Sequence, residues 1–143
     1  MWACEVFAAE GIRCWFVNRS SPTPLIMYYV MAHKLSYGLM VTASHNPAVY
    51  NGFKVFTKGG RDADGEQTAE IEYYIEKIQK DLEEGIKIDS VPYEEARDCG
   101  LVVEFNPLNE YIDSIIGGID MQAIRARGLR VALDPMYGVS RPP

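Results

Sequence analysis

Four residues in one short window carry the chemistry of this chain: Ser44, His45, Asn46 and, eight residues beyond Asn46, Lys54. Ser44 offers a hydroxyl that can act as a nucleophile or carry a phosphoryl group. His45 beside it can accept or donate a proton, or contact a phosphate. Asn46-Pro47 stiffens the turn and limits how far Ser44 can wander. Lys54 follows Asn51-Gly52, a strong turn dipeptide, closely enough to return to the same mouth with an ammonium that could hold a phosphate or trade a proton. Read from these residues alone, a polar loop without chemistry stays open beside the phosphate-carrying serine. Acyl transfer is the weaker option, because no G-x-S-x-G elbow surrounds Ser44.

Other constellations fall away. Gly60 to Ile71 suggests a calcium loop until Gly65 is set on the invariant glycine. Gly60 then takes the first acidic position and Ile71 the bidentate glutamate position, so a turn followed by a helix cap is the better account. His33 lies mid-helix among apolar residues. Tyr28, Tyr29, Tyr73 and Tyr74 fall on expected helices as packing residues, and Lys77, Lys80, Glu76, Glu83 and Glu84 fit a solvated face.

The elements that must hold the loop can be read from periodicity and turn chemistry. Trp2 to Glu10 reads as an apolar helix with no capping residue, stopped by Gly11. Ile12 to Val17 reads as a strand. Thr23 is placed to cap a helix with Pro24 at its first position, running over Leu25 to Leu35 and ended by Tyr37-Gly38. Leu39 to Ala43 is a second strand, continuously apolar as if covered on both faces. Strand, helix and strand together predict a right-handed βαβ unit that delivers Ser44 just beyond a strand's carboxyl end, where ligands collect in open α/β sheets. Phe53 to Thr57 reads as a third strand. Asp64 can cap a long helix with Ile71, Tyr74, Ile75, Ile78 and Leu82 on one face, stopped by Gly85. Residues 86–104 show too little period to assign. Pro107 to Ile116 predicts an amphipathic helix and Gly117-Gly118 a hinge. Asp120 predicts the cap of a short helix to Arg127, and Leu129 to Leu133 one more strand.

Composition bounds the rest. The 143 residues are 48% hydrophobic, enough for a core, and the net charge of −6 argues against nucleic acid as a partner. Cys4, Cys14 and Cys99 form no C-x-x-C pair and give no support to a disulfide framework or a zinc site. Leu25 to Ala32, the longest apolar run, is too short to span a bilayer, and Glu5 and Glu10 interrupt any signal-peptide core, so no membrane and a cytoplasmic location are expected.

Thr42-Ala43-Ser44-His45-Asn46-Pro47, followed by Asn51-Gly52-Phe53-Lys54-Val55-Phe56, resembles the phosphoserine loop and following strand of the α-D-phosphohexomutases. Ser21-Pro22-Thr23-Pro24 is similar to that family's strand-to-helix turn, and Leu133-Asp134-Pro135-Met136-Tyr137-Gly138 to the start of its second domain. The resemblance is specific over residues 1–58 and 129–140. It implies that Ser44 carries the transferable phosphoryl group and ligates Mg2+ through its phosphate. It makes Ser44, His45 and Lys54 catalytic, and Asn46 and Lys54 substrate contacts. The implied ligands are a hexose phosphate and a hexose 1,6-bisphosphate, with glucose first and mannose next. The implied fold is α/β, three layers around a mixed, mainly parallel sheet, with residues 1–118 as a first domain and 119–143 as a linker and the opening strand of a second.

The resemblance also sets expectations by what it would place elsewhere. The family's first strand would precede Met1, and its Asp-Gly-Asp-x-Asp-Arg metal loop is not in this sequence. The chain alone is therefore expected to have no mutase activity, to bind magnesium weakly, and to self-associate, as a dimer that pairs or swaps elements, through an unpaired sheet edge. Two rival readings stand beside it: a non-catalytic sugar-phosphate binding module, and a hydrolase using Ser44 and His45 alone.

Overall fold

A computed structural model describes residues 1–47, 49–136 and 138. In chain order the elements are α1 (Trp2–Ala9), β1 (Cys14–Val17), α2 (Thr23–Ala32), β2 (Tyr37–Val41), β3 (Phe53–Thr57) and β4 (Arg61–Asp62). They continue with α3 (Gly65–Glu83), α4 (Tyr93–Asp98), β5 (Val102–Phe105), α5 (Leu108–Gly117) and α6 (Met121–Ala126). The α/β class is borne out, with parallel and antiparallel pairing both present. Two compact units share these elements, one built from residues 1–18 and 63–105, the other from residues 19–62 and 106–143.

In the first unit β1 and β5 pair in parallel, Cys14 opposite Val102 and Val17 opposite Phe105. α1 and α4 pack beside them, burying Cys4, Ala8, Tyr93, Ala96 and Val102 as one cluster with Phe16, Val91 and Leu101 against it. A polar clamp closes the strand ends. The Tyr93 hydroxyl donates to Glu104 at 2.6 Å, and the Asn18 amide donates to the same carboxylate at 2.8 Å. These two bonds hold the Glu104 carboxyl below its ordinary pKa, and burial followed by the carboxylate's pull raises that of Tyr93. α3 starts where the sequence places it: Asp64 accepts from the Gln67 N–H while the Gln67 side chain accepts from the Asp64 N–H, a reciprocal capping box.

The second unit contains the three-stranded antiparallel sheet β2-β3-β4, with Gly38 opposite Phe56 and Met40 opposite Lys54. α2 lies on the face carrying Gly38 and Phe56. Leu25, Val30 and Phe56 are fully buried there. Gly38 marks a close approach, since a Cβ added to it would stand 2.6 Å from Val30 Cγ2 and 3.1 Å from Ile26 Cγ2. Gly60, at φ +71°, makes the turn into β4 where a side chain would collide with the Met27 carbonyl. α5 packs on α2 through Tyr28 against Tyr111 and a hydrogen-bond contact between His33 Nε2 and Glu110 Oε1 at 2.8 Å.

Several expectations are corrected. The βαβ unit is not formed: β1 takes β5 as its parallel partner, and β2 takes β3 as an antiparallel one. The Asn51-Gly52 turn returns the chain directly alongside β2, and β5 comes from the stretch that showed no period. β2 begins at Tyr37 rather than Leu39 and is not covered on both faces; Tyr37 and Val41 are exposed while Gly38 and Met40 are half-buried under α2. Thr23 is the first helical residue rather than the cap, and no side chain caps α2. Residues 129–133 form no strand, because no partner strand meets them among the described residues, and Val131 and Leu133 are 80% exposed. Tyr137, part of the motif at the chain's end, lies outside the described residues. Cys4, Cys14 and Cys99 are free thiols, and no described helix is long and apolar enough to cross a membrane.

Candidate functional site

The serine loop leaves the carboxyl end of β2 and returns as β3, so its two feet are fixed by one antiparallel ladder. That ladder extends past the last paired strand residues: the Thr42 N–H donates to the Gly52 carbonyl at 2.9 Å. On the returning side the Asn51 side-chain oxygen accepts from the Gly52 N–H at 3.0 Å. Between these feet the Asn46 N–H donates to the Ala43 carbonyl and the Tyr50 N–H to that of Pro47, both at 3.0 Å.

Ser44 stands at the apex in a left-handed conformation, φ 57°. That region favours glycine, and an L-residue there costs roughly 1–2 kcal/mol. Two contacts accompany the strain. The Ser44 N–H donates to Thr42 Oγ1 at 3.0 Å, and Ser44 Oγ lies 3.2 Å from His45 Nδ1. Ser44, His45 and Asn46 are exposed and Thr42 is half-buried. The loop therefore presents a hydroxyl to solvent with an imidazole nitrogen within reach of its proton. Such a pair can move a proton as an oxygen–phosphorus bond forms or breaks at the serine.

Of the four residues singled out by sequence, the structure brings Ser44 and His45 into contact and puts Asn46 in the same turn. Lys54 is on the adjoining strand, opposite Met40 and on the sheet face that carries Phe56. Its ammonium lies 3.9 Å from Asp62 on β4, and among the described residues it makes no hydrogen bond to Ser44 or His45. Sequence reasoning missed Asp62 as the counter-charge of Lys54, because the two-residue strand β4 gave no pattern to read. It also gave Thr42 no structural role. The signal was present, since a threonine two residues before a turn residue is the spacing of a side-chain turn. No group of three or more His, Cys, Asp or Glu side chains gathers as a metal site among the described residues. The described residues do not by themselves gather the carboxylates of a magnesium centre.

Comparison with known proteins agrees with the resemblance of the motif. The family model described as phosphoglucomutase/phosphomannomutase, alpha/beta/alpha domain I, matches residues 1–82. The phosphoglucosamine mutase of Prochlorococcus marinus (strain AS9601) is 36% identical over 124 residues, which are 86% of this chain and 25% of that protein. The phosphoglucomutase of Komagataeibacter xylinus is 29% identical over 96% of this chain and 26% of its own length. The phosphoglucosamine/phosphogalactosamine mutase of Sulfurisphaera tokodaii is 31% identical over 83% of this chain and 24% of its own length. The chain thus spans about a quarter of the length of these relatives.

Proposed function

Because this chain belongs to the phosphoglucomutase/phosphomannomutase family, matching its first domain over residues 1–82, we propose that it is the segment through which a phosphohexomutase carries its transferable phosphate, with Ser44 as the carrier. The observation that supports this most is the apex geometry: an exposed serine hydroxyl on a ladder-anchored loop, 3.2 Å from the His45 imidazole. The phosphorylated serine gives its phosphoryl group to the free hydroxyl of a hexose 1-phosphate. The P–O bond to Ser44 Oγ breaks and a P–O bond to the sugar oxygen forms. The sugar hydroxyl releases its proton to solvent, and Ser44 Oγ takes one from the His45 imidazolium. In the return transfer the P–O bond to the other sugar oxygen breaks and a P–O bond to Ser44 Oγ forms. The serine hydroxyl proton passes to His45 Nδ1, and the departing sugar oxygen takes a proton from solvent, matching the one released in the first transfer. A hexose 1-phosphate becomes a hexose 6-phosphate by way of the 1,6-bisphosphate, which turns over between the two transfers. Lys54 and Asn46 serve as phosphate and sugar contacts in this reading.

Glucose is the hexose we propose; glucosamine stands beside it, since relatives named for both sugars match. A phosphoserine holds ~1.5–2 negative charges, which need cations before another phosphate can approach. Magnesium would meet that need when bound through the phosphate of Ser44. Its carboxylate ligands are not gathered among the described residues, so no step here runs through it. A cytoplasmic setting belongs to the same proposal.

The test uses the natural gene product in full, given glucose 1-phosphate and a trace of glucose 1,6-bisphosphate. Formation of glucose 6-phosphate, with phosphate on Ser44 by peptide mass spectrometry, is the expected result, and both should vanish in Ser44→Ala. Turnover that survives Ser44→Ala, or phosphate found on another residue, would overturn the assignment. The 143-residue chain by itself should show no turnover.

A further inference from the structure

We infer that Thr42 is the positioning residue of the serine loop, the side chain that holds Ser44 in its left-handed conformation and so fixes where the phosphate-carrying oxygen points. The inference rests on the reading of Ser44 as phosphate carrier, and it adds a residue to which that reading gave no role.

The argument starts from strain. Ser44 adopts φ 57° without the freedom of glycine. Strain of this kind persists only where surrounding contacts favour the strained state. The contact in place is the Ser44 N–H to Thr42 Oγ1 bond at 3.0 Å, a side-chain turn worth about 1 kcal/mol net. Thr42 is well chosen for it. As a β-branched residue it has few χ1 states, so little entropy is lost in aiming Oγ1. Its own N–H donates to the Gly52 carbonyl at 2.9 Å, which clamps its backbone to the β2–β3 ladder. Thr42 therefore links a rigid sheet to a strained apex through two successive hydrogen bonds. If Ser44 relaxes to an ordinary conformation, its Oγ leaves the position 3.2 Å from His45 Nδ1. Thr42 touches neither the sugar nor the phosphate in this scheme. It acts through Ser44.

Two substitutions separate its hydroxyl from its methyl group. Thr42→Val keeps the shape and removes the acceptor; Thr42→Ser keeps the acceptor and removes the methyl. In the full chain, NMR amide exchange at Ser44 should be about fivefold faster in Thr42→Val, the factor for losing a bond of about 1 kcal/mol, and unchanged in Thr42→Ser. In the natural gene product, Thr42→Val should lower kcat by about ten- to a hundredfold with KM unchanged, as misplacement of a reacting group does, and Thr42→Ser should recover most of it. Wild-type exchange and kcat in Thr42→Val would overturn the inference. So would a Thr42→Ser variant as impaired as Thr42→Val, since the methyl would then be what matters. If the wild type shows no mutase activity, the reading of Ser44 fails, and the exchange measurement still decides whether Thr42 holds it.

Discussion

The polar groups that follow β1 and those that follow β2 are built on opposite terms. After β1, Asn18 meets Glu104, and Glu104 also accepts the Tyr93 hydroxyl, so one carboxylate gathers two donors above a packed cluster. After β2, Ser44 takes a backbone conformation that costs energy, and its hydroxyl is turned to solvent beside an exposed imidazole. Both ends continue a short strand with polar residues. The first is satisfied internally and lowers the energy of its unit; the second is strained, and its reactive group is left open. Strain and exposure together are the marks of a site rather than of a support.

The support for the strained end lies further back on the same strands, and breaking it should have the largest effect. Phe56 is fully buried opposite Gly38, where Val30 of α2 packs tightly against the sheet. Phe56→Ala should destabilise by about 3–5 kcal/mol, the range for deleting a buried phenyl ring. Chemical denaturation followed by circular dichroism would show it as a lowered midpoint. Substitutions at the exposed His45 should leave that midpoint nearly unchanged. Equal losses at Phe56 and His45 would mean that the loop is part of the core, and the contrast between anchor and apex would fail.

What the sequence disclosed follows the same division. β3 was legible over its full length, because alternation and the Asn51-Gly52 turn agree, and α3 was legible from Asp64, its apolar stripe and Gly85. The family was legible from the hexapeptide around Ser44 and the Lys54 spacing. α4 and β5 were not legible, since six and four residues are too short to establish a period. Without β5, the partner of β1 was assigned by sequence adjacency, which sheets do not always follow. Gly38 read as a helix stop, whereas its use is to let α2 approach the sheet. At the site, residue types named Ser44 and His45. The left-handed backbone and the Thr42 bond depend on dihedral angles that a serine does not advertise.

A smaller effect should come from the apex itself. Ser44→Gly relieves the left-handed strain, and Ser44→Ala keeps it; the glycine variant should be the more stable of the two by about 1 kcal/mol, in the range of the penalty for an L-residue there. Both lack the hydroxyl and both should fail to carry phosphate. Thermal denaturation of the pair reads the difference without reference to activity. An alanine variant at least as stable as the glycine variant would show that Ser44 is not strained, and the sharpest difference between the two strand ends would disappear.

The satisfied end makes the smallest and most specific prediction, one of sign against pH. Hydrogen bonds from Tyr93 and then Asn18 favour the charged form of Glu104, so its pKa in the folded chain lies below the unfolded value. The unfolded chain then binds the proton more readily, and stability rises with pH wherever it does so. The contribution of Glu104 is therefore fully present above the ordinary glutamate pKa of ~4.3 and is lost as pH falls through the lowered folded value. In Glu104→Gln the side chain cannot ionise. The stability gap between wild type and Glu104→Gln should be constant near neutral pH and shrink on acidification below the ordinary glutamate range. A gap that stays constant through that range would show that the clamp after β1 does not depend on the charge of Glu104, and that its two donors bind the carboxylate no more tightly than the protonated carboxyl. Ser44 offers no such titration. Its loop should respond to the loss of a hydroxyl and the clamp to the gain of a proton.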